Sequence, residues 1–134
     1  MSRMIRALAL LVAFGLWSAA LTGQPLKQQT NNKDAVTVKV TPLKVEGAVW
    51  EFEIVFDTHS QDLSDDLLNA AVLVGPDGSQ IKPAGWNGDP PSGHHRKGVL
   101  RFNALNPPPD VLELRIARPK EPTQRAFKWT MPRQ

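Results

Sequence analysis

Three histidines are the residues whose types and spacing could do chemistry in this chain: His59, His94 and His95. Neutral imidazole is a ligand for zinc, copper(II) or nickel(II), and a carboxylate completes such sites. Asp57 stands two residues before His59, and Asp62 and Asp89 lie close by in sequence. For these groups to meet one ion, two distant segments must run side by side, so the question passes to the elements that carry them.

Trp50, Phe52, Ile54 and Phe56 alternate with Glu51, Glu53, Val55 and Asp57, the period of two of a half-buried strand. A second run, Gly98 to Asn103, places Leu100 and Phe102 on one face. Setting Phe52 opposite Phe102 in an antiparallel pair brings Glu53 to Arg101, Asp57 to Lys97 and His59 to His95. Directly opposed residues have Cβ atoms about 5 Å apart, within reach of one metal ion. The expected metal set is therefore His59, His95, His94 and Asp57, with zinc or copper(II) as the ion. A cluster of structural hydrogen bonds between histidines and loop carbonyls is the favoured reading of the same residues, and metal binding the alternative to it. Asp62-x-Ser64-Asp65-Asp66 hints at calcium, but Leu73 stands where an EF-hand requires its glutamate.

Other strands are legible by the same alternation. Val36, Val38 and Val40 form one, ended by Pro42. Ala71 to Val74 and Ser79 to Lys82 flank Gly75-Pro76-Asp77-Gly78, which predicts a hairpin. Val111 to Ala117 and Ala126 to Met131 complete the series, and no proline falls inside a proposed strand. Asp62 to Leu68 breaks the alternation and predicts one helical turn capped by Ser64 or Asp62, joining two sheets. Ala84 to Gly93 is the longest irregular stretch, and its Trp86 is either a binding platform or a plug; the cost of leaving an indole wet favours the plug.

About seven short strands at this spacing predict an all-β, immunoglobulin-like antiparallel β-sandwich. The pattern VTVKVTPLKV, VLVGPDGSQIKP and GVLRFN, followed after a proline-rich turn by VLELRI, resembles the telokin-like, immunoglobulin-like extracellular domains of exported bacterial proteins. DTHS and GHHRKGVLRF together resemble a module of uncharacterised secreted proteins. The resemblance implies a fold and export and no activity.

Export is also read directly. Arg3 and Arg6 precede an apolar run from Ala7 to Leu21, with small residues at Ser18, Ala20 and Gly23. This predicts a signal helix within 1–23, cleaved after Ala20 or Gly23, a flexible polar leader over 24–34 and a sandwich over 35–132. The product is periplasmic or secreted, with no stable membrane insertion. An uncleaved anchor tethering it to the membrane is the alternative, although the run is shorter than the roughly 20 residues of a spanning helix.

The chain has no cysteine, which excludes a disulfide framework and a lipidated cysteine. Sixteen basic residues stand against thirteen acidic ones, a balance that gives no basis for nucleic acid as a partner. The charges are segregated, however. Val45 to Ile81 holds eight carboxylates and no Lys or Arg, and Arg96 to Gln134 holds nine basic residues and three acidic ones. Pairing between the two halves is the expectation.

No G-x-S-x-G elbow, Walker loop or H-E-x-x-H helix occurs. The expected function is that of an exported, non-enzymatic binding or accessory module of the cell envelope, with a protein partner and no required cofactor. Metal binding through the histidine and aspartate set is the alternative.

Overall fold

The computed structural model describes residues 26–132. The expected signal peptide at 1–23 lies outside the described residues. Nine strands and one helical turn follow in order: β1 (Gln29–Lys33), β2 (Val36–Lys44), β3 (Val49–Thr58), α1 (Leu67–Ala70), β4 (Ala71–Val74), β5 (Gln80–Ile81), β6 (Gly85–Gly88), β7 (His95–Asn103), β8 (Val111–Ile116) and β9 (Arg125–Thr130). They form two antiparallel sheets, β1-β2-β3-β7-β6 and β5-β4-β8-β9.

The alternation that predicted β3 also builds the core. Phe52, Ile54 and Phe56 are fully buried, Trp50 nearly so, and the facing sheet contributes Leu73, Leu112, Leu114, Ile116 and Phe127. Each such side chain contributes roughly 1.5–3 kcal/mol on burial, so packing supplies the stability that a cysteine-free chain needs. Phe52 meets Phe102 edge-on at 5.7 Å and Trp129 at 6.2 Å, which ties the two sheets together.

The register between β3 and β7 differs from the expectation. Trp50 pairs with Phe102, Phe52 with Leu100 and Asp57 with His95, a slip of two residues. A two-residue slip leaves every side chain on its face, so hydrophobic alternation is blind to it. On its other side β7 meets β6 through a glycine pair. Gly98 pairs with Gly88 of β6, and a Cβ on Gly98 would stand 2.5 Å from the Trp86 ring. Only glycines leave room for that indole, which closes the sheet edge as a plug.

Four other expectations are corrected. The leader is not wholly unstructured, because Gln29–Lys33 is an edge strand paired with β2. Its turn is Asp34-Ala35, both at positive φ (50° and 61°), a conformation usually supplied by asparagine or glycine. Gln61 Nε2 and Thr58 Oγ1 hold it by donating to the carbonyls of Asp34 and Ala35. Pro42 lies inside β2 rather than ending it, next to a register shift between Pro42 and Lys44 and beyond the part of β2 that pairs with β1. The missing N–H costs nothing there. The helical turn begins at Leu67 with Asp66 at its N-cap, later than Ser64 or Asp62 would place it, because Leu63 and Asp65 are drawn into the interior. Finally, Gly85–Gly88 of the supposedly irregular stretch is a strand.

One edge of each sheet, β1 and β9, is joined to the other by side chains. Gln29 inserts its carboxamide between β1 and β9, accepting from the Lys128 N–H at 3.1 Å and donating to the Lys128 carbonyl. Its side chain thus imitates a strand's main chain. Trp129 Nε1 donates to the Lys27 carbonyl at 2.7 Å, on the same seam. An edge paired in this way offers little purchase to a second chain.

Candidate functional site

The end of the sandwich where β3 stops and β7 starts gathers the residues singled out above. Asp57 and His95 are opposed on the outer face, and His95 Nδ1 contacts Asp57 Oδ1 directly. His59 is not opposite His95, contrary to the expected register. The pairing continues one step past β7, where the Thr58 N–H donates to the His94 carbonyl at 2.9 Å. His59, His94 and His95 are all exposed. Among the described residues, no group of three or more His, Asp or Glu side chains is arranged to hold a metal ion. Lys97 approaches Glu53 at 3.9 Å rather than Asp57, another consequence of the two-residue slip.

A second constellation lies at the same end, and its members are buried. Asp65 accepts two hydrogen bonds from Arg118, from Nε at 3.0 Å and from Nη2 at 3.1 Å. Arg118 Nη1 donates to Glu121 at 3.0 Å, and Glu121 takes two more bonds from Arg125, at 2.9 and 3.0 Å. Side-chain exposure is 0% for Asp65, 4% for Arg118, 4% for Glu121 and 1% for Arg125. Arg96 extends the chain by donating to the carbonyls of Asp65 and Asp89, with its guanidinium 5.2 Å from the centre of the Trp86 ring.

This network ties four loops to one another. Asp65 belongs to the connection after β3, Arg118 and Glu121 to the β8–β9 loop, and Arg96 to the start of β7. Arg125 reaches the β1–β2 hairpin, donating to the carbonyls of Val36 at 2.8 Å, Lys33 at 2.7 Å and Asn31 at 3.1 Å. Asp65 of the acidic half pairs here with Arg118 of the basic half, whereas Glu121, the network's other carboxylate, belongs to the basic half itself.

Protonation follows from the geometry. Burial pushes the Glu121 carboxyl upward, but hydrogen bonds and charge from Arg125, and then Arg118, outweigh it and hold the group below its ordinary value. Burial pulls the Arg118 guanidinium down, and Asp65 and Glu121 more than compensate, so its net shift is upward. For Arg96 burial wins over the nearby Asp65, Asp89 and Asp66, and its pKa falls.

Over the network opens a cleft of about 770 Å³. Arg118 and Glu121 line it, with Gln61, Ser64 and Asp62 from the segment after β3 and Lys120 from the β8–β9 loop. Lys120 takes a positive φ of 64°, a left-handed conformation that costs a residue with a Cβ roughly 1–2 kcal/mol. The arrangement offers charged and hydrogen-bonding groups on rigid walls, which suits recognition of a polar partner.

The sequence pointed to the histidines and overlooked the arginines. Arg118, Glu121 and Arg125, at spacings of three and four, were a signal, and so was the segregation of charge; neither announced burial. Compared with family models, curated proteins and solved structures, the chain matches none.

Proposed function

We propose that this chain is an exported, non-enzymatic β-sandwich that serves as a binding or accessory module of the cell envelope, engaging its partner at the loop end. One observation carries the reading: four loops are locked by a buried ion-pair network directly beneath an open, polar cleft. Loops fixed in advance lose little entropy on binding, which is the property a recognition surface requires. The strand order supports an immunoglobulin-like sandwich, since β2-β3-β7-β6 and β5-β4-β8-β9 follow the two-sheet order of that fold with β1 added at one edge. The Arg3, Arg6 and Ala7 to Leu21 pattern supports export to the periplasm or medium. The telokin-like resemblance belongs to this same reading.

Site-specific photo-cross-linking tests it. A photoreactive residue at Gln61 is expected to give a discrete partner adduct in the envelope, and one at Leu43, beside the opposite end, is expected to give none. Adducts from Leu43 alone would overturn the assignment of the surface.

A second reading, metal binding, has one observation in its favour. The Asp57 carboxylate orients the His95 ring through Nδ1, as carboxylates do for metal-bound histidines. If zinc or copper(II) binds there, His95→Ala abolishes calorimetric uptake and His59→Ala leaves it unchanged, because the register separates His59 from the pair. Uptake lost only in His59→Ala would contradict that placement.

A further inference from the structure

Two buried arginines of the network differ in how their donors are used. A guanidinium has five N–H groups. Arg125 places all five, two on Glu121, one each on the carbonyls of Asn31, Val36 and Lys33. Arg118 places three, two on Asp65 and one on Glu121. One N–H on each of its terminal nitrogens has no acceptor among the described residues, and the side chain, only 4% exposed, lines the cleft. Such donors are open to an acceptor that enters the cleft.

The cleft carries both signs of charge, with Arg118 paired to Glu121 at 3.0 Å on its wall. Lys120 adds a cation to the same cleft, and Asp34 and Asp62 supply carboxylates from the β1–β2 turn and the segment after β3.

We propose that the cleft receives the C-terminal end of a peptide chain, whose carboxylate accepts the two free N–H groups of Arg118 beside Lys120 and whose basic side chain meets Asp34 and Asp62. This rests on the loop-end reading above and names the chemistry of its partner. A planar carboxylate matches guanidinium donors, and such charge-assisted bonds are stronger than neutral ones. The cleft volume of about 770 Å³ falls within the usual range of ligand sites and holds several residues rather than one amino acid. Capture of a terminal carboxylate is an established mode of peptide recognition.

The test uses the processed chain, labelled with ¹⁵N, titrated with acetyl-Ala-Lys-Ala as the free acid and as its C-terminal amide. The free acid is expected to shift the amides of 60–64 and those of Arg118, Lys120 and Glu121 saturably. The amide form is expected to bind about tenfold more weakly, the factor that 1.4 kcal/mol gives. Lys120→Met is expected to weaken the acid and leave the amide unchanged, which avoids disturbing Arg118. Equal binding of acid and amide at these residues would overturn the carboxylate assignment and leave the loop-end reading standing. Absence of binding by either probe overturns the peptide assignment. Shifts confined to the opposite end overturn both readings. Free lysine binding as tightly as the peptide overturns the chain-end assignment in favour of a single amino acid.

Discussion

Asp65→Asn removes one charge from the centre of the buried network while keeping the side chain's size. Asp65 presents two carboxylate oxygens to Arg118, at 3.0 and 3.1 Å, and is fully buried. Asparagine supplies one acceptor and one amide nitrogen, so one of the two guanidinium N–H groups then faces a donor. The buried cation also loses one of its two carboxylates and keeps only Glu121 at 3.0 Å. Removing one member of a buried ion pair costs about 3–5 kcal/mol, much of it from the charge left behind. With a urea m-value of about 1–1.5 kcal/mol/M for a domain of this size, the unfolding midpoint should fall by roughly 2–5 M. Urea titration followed by tryptophan fluorescence at pH 7 reads this directly. Glu53→Gln is the control, because its partner Lys97 lies 3.9 Å away and the pair is partly exposed; it should cost less than about 1 kcal/mol. Asp65→Leu combined with Arg118→Met, which removes both charges, should recover a large part of the loss. A single-mutant loss no greater than the control's, or a double mutant less stable than Asp65→Asn, would refute the reasoning.

Two further expectations concern the same end of the fold. The Glu121 carboxyl is held below its ordinary value in the folded chain, so its contribution is present above the unfolded pKa of about 4.3 and is lost as pH falls through the folded value. Glu121→Gln should flatten the acid limb of a stability–pH profile, and an unchanged limb would count against the network's charge state. Gly98→Ala should cost about 1–3 kcal/mol in thermal unfolding and shift the Trp86 indole signal, because the new Cβ meets the ring at 2.5 Å and Gly88 Cα at 2.7 Å. A neutral substitution would mean that the indole can move aside.

The parts of the fold that were legible in the sequence are those that alternation determines. Trp50 to Phe56 and Leu112 to Ile116 declared their inner faces, and the turn at Gly75 to Gly78 declared its hairpin. β3 and β7 are neighbours as expected, and only their register is shifted. That shift is the informative failure: a slip of two residues preserves both faces, so alternation within each strand does not distinguish the two registers. β1 escaped notice because its residues are polar and its turn uses Asp34-Ala35 in place of the usual glycine. The buried arginines escaped for a related reason. A charged residue reads as surface until its partners are known, and Asp65 and Arg118 are 53 positions apart.

Photo-cross-linking from Gln61 in the native envelope tests the central claim most directly, with matched probes at Leu43 and Val111 as controls away from the loop end. A single saturable adduct from Gln61, diminished by Asp65→Asn and absent from the control positions, is the result the account predicts. Adducts of equal yield from all three positions, or from the controls alone, would contradict it.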